Sequence, residues 1–162
     1  MALTEKQKEV FDQTREMLEK FYGRQKDVHI LENKDKAFII MKITDDPSIM
    51  FEAQPFKKDA VLVFRAFILM DVEIDSEVIK KVSKINTELN FGSFNFVFGR
   101  KKKPNLMFKY CALASQLSDK YINTLISEII FYSGKYMPQL LEYGTQPAED
   151  IEKNLGKHAK KN

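Results

Sequence analysis

Apolar and polar positions along this chain switch between a helical and a strand-like period, and the switches delimit the elements. Thr4 can cap a helix with Gln7 reaching back as a capping box, and Val10, Phe11, Thr14, Met17, Leu18 and Phe21 then recur at helical spacing until Gly23. Val28 and Ile30 open a strand, Asn33 to Lys36 reads as a turn, and Ala37 to Ile43 is a second strand of β-prone residues. Asp45-Asp46-Pro47 is expected to break it. Ile49, Met50 and Phe51 follow as a short extended segment, and Gln54 to Asp59 turns the chain. Val61 to Ile74 alternates as a long strand whose inward face is Leu62, Phe64, Ala66, Ile68, Met70, Val72 and Ile74.

Asp75 and Ser76 can cap a second helix, in which Val78, Val82, Ile85 and Leu89 repeat on one side. Phe91-Gly92 leads into a hairpin: Phe94, Phe96 and Phe98 share a strand face, Gly99 to Asn105 is a basic turn, and Phe108 and Tyr110 share a face of the returning strand. Ser118 can cap a long helix with Leu117, Tyr121, Leu125, Ile129, Tyr136 and Leu140 along one side, bent or ended by Pro138. The expected fold class is α+β, an antiparallel sheet of about five strands with helices packed mainly on one face, in the order α-β-β-β-α-β-β-α. Residues 1–143 form the expected domain, and 144–162 read as a polar, flexible tail.

The central strand is apolar in both parities, because Val63, Phe67 and Leu69 oppose Leu62, Phe64 and Ile68. Ile39, Met41 and Met107 likewise point away from one inner face in this reading. A sheet covered on one side would then expose an apolar patch suited to a partner. The alternative is that strand curvature and the first helix bury these residues within the monomer. The candidate contact residues are therefore Met41, Val63, Phe67, Leu69 and Met107.

Composition narrows the classes. The chain has 162 residues, 44% hydrophobic and 30% charged, enough for one soluble domain burying roughly 70% of its unfolded surface without metal or disulfide. Thirteen Phe, seven Met and no Trp suit either a Phe-rich core or an adaptable surface. The single Cys111 reads as a small buried strand residue and fits a reducing, cytoplasmic setting. The N-terminal residues lack a signal-peptide pattern, and Arg65 interrupts the longest apolar run, so no membrane insertion is expected.

Candidate chemistry is sparse. With only His29 and His158, a histidine metal site or a Ser-His-Asp triad has little to draw on. Asp71, Glu73 and Asp75 begin like a calcium loop, but Ser76 and Val82 stand where glycine and glutamate are required. Ser133-Gly134-Lys135-Tyr136 lacks the rest of a phosphate loop. No catalytic residue, metal or cofactor is expected. Arg100, Lys101, Lys102 and Lys103 at the hairpin tip are the candidate anion contacts, giving nucleic-acid or anionic-surface binding as the alternative function. Lysines also solvate a hairpin tip and discourage edge pairing, and a net charge of +3 does not favour nucleic acid.

The helix end Ile85-Asn86-Thr87-Glu88-Leu89-Asn90, the strand start Gly92-Ser93-Phe94-Asn95-Phe96, and a final helix carrying Tyr121 resemble the YbjN-like domain, which shares the topology of bacterial type III secretion chaperones. The resemblance covers most of residues 3–143. It implies a bacterial, cytoplasmic, non-enzymatic protein that binds a partner or client protein, and chaperones of this fold commonly dimerise through the second helix and adjoining sheet. Asn86 corresponds to the helix-terminal polar residue, Gly92 to the turn, and Phe94 and Phe96 to the apolar strand. The chain departs from secretion chaperones in its basic balance, its 100–103 turn and its long tail.

Overall fold

A computed structural model describes residues 2–43, 46–57, 59–99 and 103–147. Helix α1 (Glu5–Tyr22) starts at the expected capping box, in which Thr4 accepts from the Gln7 amide and Gln7 accepts from the Thr4 amide. Four strands follow: β1 (Val28–Asn33), β2 (Phe38–Ile43), β3 (Asp46–Phe56) and β4 (Asp59–Leu69). Helix α2 (Ser76–Thr87) leads to the hairpin β5 (Ser93–Val97) and β6 (Asn105–Leu113), and α3 (Asp119–Leu140) closes the domain. The order is α-β-β-β-β-α-β-β-α. The sheet therefore has six strands where about five were expected, because the extended segment around Ile49 belongs to a full-length strand that already includes Asp46 and Pro47.

All pairings are antiparallel and the spatial order is β1-β2-β3-β4-β6-β5. The register sorts the side chains into two faces, since residues directly opposite each other lie on the same side. One face presents Ile39, Met41, Ile49, Phe51, Leu62, Phe64, Ala66, Phe94, Leu106 and Phe108, and these form a single core with the buried residues of all three helices. Helices thus cover one face of the sheet, as the α+β reading requires.

Several local expectations change. Ile39 and Met41 face the helices, because β2 pairs Ile39 with Phe51 and Met41 with Ile49. The alternation of β4 breaks at a bulge between Phe67 and Leu69, so that Leu69 pairs with Leu106 and joins the core. The strand ends there, leaving Val72 buried but Ile74 exposed. Phe98 lies beyond the end of β5 and is 69% exposed, in contrast to the fully packed Phe94. Leu117 precedes α3, whose cap is Ser118 as expected, and the helix continues two residues past Pro138. Thr145 is tied to the domain by mutual backbone hydrogen bonds with Met70, at 2.7 and 2.9 Å.

The junction from α2 into β5 depends on one side chain. Asn86 donates from Nδ2 to the Phe94 carbonyl at 3.0 Å, and its Oδ1 accepts from the Phe94 amide at 2.8 Å. Gly92 sits at φ 64°, with Phe108 Cζ only 2.5 Å from where a Cβ would stand. This close approach lets Phe94 lie edge-on against Phe108 and Tyr136. Asn86→Ala leaves both Phe94 backbone groups unpaired, and denaturant unfolding is expected to show a loss of about 1–3 kcal/mol. Gly92→Ala is expected to cost about 2 kcal/mol or more in the same measurement, through both left-handed strain and contact with Phe108.

The second sheet face as the candidate binding surface

The second face of the sheet is built from the opposite parity. Its rows are Phe67 opposite Met107, Arg65 opposite Lys109, Val63 opposite Cys111, and Val61 opposite Leu113. Toward β1 these rows continue through Met50, Ile40 and Leu31, and through Glu52 and Phe38. Ile40, Val63 and Met107 are buried but lie outside the cluster formed with the helices. Leu31, Phe38, Met50, Val61, Phe67 and Leu113 are half-buried and complete a broad, shallow apolar surface.

Of the five expected contact residues, the structure gathers Val63, Phe67 and Met107 on this face and places Met41 and Leu69 on the other, both at 0% exposure in the core. The sequence reading also missed members. Ile40 has the parity assigned to Met41, and Lys109 follows from the alternation Met107, Lys109, Cys111, Leu113 against Phe108, Tyr110 and Ala112. Cys111, expected to be buried, is exposed and lies on the second face opposite Val63.

The polar groups of the face are unevenly matched. Arg65 forms a salt bridge with Glu52, reaching it diagonally across β3. Lys109 is exposed, and among the described residues no carboxylate pairs with it. At the end of the face, a depression of about 630 Å³ is lined by Lys6, Phe56, Lys57, Asp59 and Leu113. Phe56 is 46% exposed there, with the Lys57 ammonium 5.6 Å from its ring centre.

The remaining candidate groups do not converge. Asp75 caps α2 by accepting from the Glu77 and Val78 amides, and Glu73 pairs with Lys103. Among the described residues, no group of three His, Cys, Asp or Glu side chains could hold a metal ion. His29 is exposed on β1, Ser133 to Tyr136 lie within α3, and Arg100, Lys101, Lys102 and His158 fall outside the described residues. Lys103, the described member of the basic turn, is the one that Glu73 engages.

On the helix-covered side, the Tyr110 and Tyr121 hydroxyls meet at 2.6 Å. That hydrogen bond, followed by burial, pushes Tyr110 up to about 12, because the neutral phenol is the form that suits both effects. The pair ties β6 to the first turn of α3 beside Phe91, whose ring centre lies 6.3 Å from that of Tyr110.

Comparison by sequence finds no matching family model and no matching curated protein. Solved structures do match. YbjN, a candidate transcription regulator from E. coli, superposes with a TM-score of 0.56 at 12% identity, over 79% of this chain and 91% of that one. A chain of the ExsC–ExsE complex superposes with a TM-score of 0.58 at 14% identity, over 85% of this chain and 96% of that one. The chain therefore has the YbjN-like, secretion chaperone-like fold.

The tyrosine pair gives a pH prediction with a definite sign. With the folded-state value of Tyr110 raised above its unfolded value of 10.0, the associated stability is present below about pH 10 and is lost as pH rises towards 12. Burial and the neighbouring Glu142 also push Tyr143 up to about 12, so two tyrosines titrate late. Tyr121→Phe should bring the Tyr110 transition, followed by phenolate absorbance, down towards the ordinary range, leave that of Tyr143 in place, and flatten the loss due to Tyr110.

Proposed function

We propose that this chain is a non-enzymatic protein-binding module, chaperone-like or regulatory, that acts in the bacterial cytoplasm and engages a partner protein through the second sheet face. The observation that carries this reading is the second face itself: apolar side chains from Leu31 to Leu113, interrupted by Arg65, Lys109 and Glu52, on the side of the sheet opposite the three helices of the described residues. The fold is compatible with such use, since one of its structural neighbours is a chain of a complex. No helix of the described residues is long and apolar enough to cross a membrane. Of the residues of the anion-binding alternative, Lys103 pairs with Glu73, and Arg100, Lys101 and Lys102 lie outside the described residues.

The test uses Phe67→Ser combined with Leu113→Ser, two half-buried positions on the second face. Affinity capture from the native cell, with far-UV circular dichroism as the control for folding, should show the partner's affinity lowered by about tenfold or more at unchanged secondary structure. Undiminished capture by a folded double variant would assign binding to another surface. A mass measurement of the free protein reports whether the form that binds is a monomer or a homodimer.

A further inference from the structure

We infer that the occupant of the second face is an amphipathic helix of a partner protein that carries a carboxylate in the middle of its apolar stripe, seated against Lys109. The inference rests on the binding role proposed for this face and adds the chemistry of what it binds. Three observations lead to it.

First, the ladder sets Arg65 directly opposite Lys109, a like-charge pair at the centre of a sheet face, where opposite charges or apolar pairs are the stabilising choice. Glu52 neutralises Arg65 from the β3 side, and Lys109 is left exposed without a carboxylate among the described residues. Such a local conflict marks a site where something other than folding stability has set the residues.

Second, the cation row lies between two apolar rows, Phe67–Met107 on one side and Val63–Cys111 on the other. A body that covers both apolar rows must also cover Lys109. Desolvating an ammonium is costly unless it gains a partner, so a complementary occupant brings a carboxylate to that point. The one escape is for the lysine stem to reach across Ser93, its neighbour on β5, towards the sheet edge. An occupant without a carboxylate would then bind equally well.

Third, β4 is hydrogen-bonded to β3 on one edge and to β6 on the other, so the middle of the face offers no free backbone donors or acceptors. An extended segment laid flat on it would leave its own backbone unpaired. A helix satisfies its backbone internally and is the element that ordinarily covers a sheet face, as the three helices do on the opposite side.

The experiment uses the full chain and two fluorescent 18-residue helical peptides with a leucine stripe, identical except for Glu or Gln at the stripe's centre, read by anisotropy. The Glu peptide should bind about tenfold more tightly than the Gln peptide at low salt. Lys109→Met should abolish the difference while leaving the Gln peptide's affinity in place, and Lys109→Glu should transfer the preference to a Lys-bearing peptide. Equal binding of the Glu and Gln peptides overturns the carboxylate inference and leaves the protein-binding reading standing. No binding of either peptide overturns the helix as occupant. Binding that Phe67→Ser with Leu113→Ser does not weaken places the occupant elsewhere and removes both readings. Self-association lost in Lys109→Met identifies a second copy of this chain as the occupant and overturns the inference.

Discussion

The two-sided character of β4 is the constraint on which the rest of this structure depends. Its backbone is paired along both edges, so its side chains alone decide what lies above and below the sheet. Leu62, Phe64 and Ala66 turn to the helices, and the bulge after Phe67 adds both Ile68 and Leu69 to the buried set. Phe64 meets Phe51 and Tyr110 edge-on across its two neighbouring strands, which carries the core from β3 through to β6. The other parity, Val61, Val63, Arg65 and Phe67, faces away from the three helices of the described residues. An apolar centre combined with one-sided helical cover produces the candidate surface.

The helix-covered side is held by contacts between elements far apart in sequence. Asn86 fastens the end of α2 to β5, and Phe94 packs against Phe108 and Tyr136, while Tyr132 stacks between those two rings. The Tyr136 hydroxyl donates to Glu88 at 2.7 Å, which holds the Glu88 carboxyl below its ordinary range. These links join the hairpin, α2 and α3 into one unit. The Thr145 bridge to Met70 adds a backbone attachment where β4 gives way to the α2 approach.

Elements with strong local signals were legible in the sequence: the capping box of α1, the Asp75 and Ser118 caps, the Phe94 and Phe108 core positions, and the α+β class. What eluded it was parity. A strand that is apolar on both sides gives alternation nothing to anchor on, so Met41 and Leu69 were assigned to the wrong face. The bulge in β4 and the phase of β2 are set by pairing with neighbours, which the local pattern does not encode. Phe98 continued the alternation of β5 in sequence, but the strand had ended one residue earlier. Pro138 lies within α3, which ends two residues later at Leu140 and gives way to a 3-10 turn over Leu141–Tyr143.

Partial burial lowers the cost of leaving the second face uncovered by the helices of the described residues. Ile40 and Val63 are buried, and none of Leu31, Phe38, Met50, Val61, Phe67 and Leu113 is fully open to solvent. Uncovered, the face costs less than its apolar content suggests, since much of that area is already out of water. Under the proposed binding role, covering it yields correspondingly less from apolar burial, so discrimination among partners would fall more heavily on its polar row. There Glu52 fixes Arg65, while Lys109 stays available to reward a carboxylate and penalise a cation.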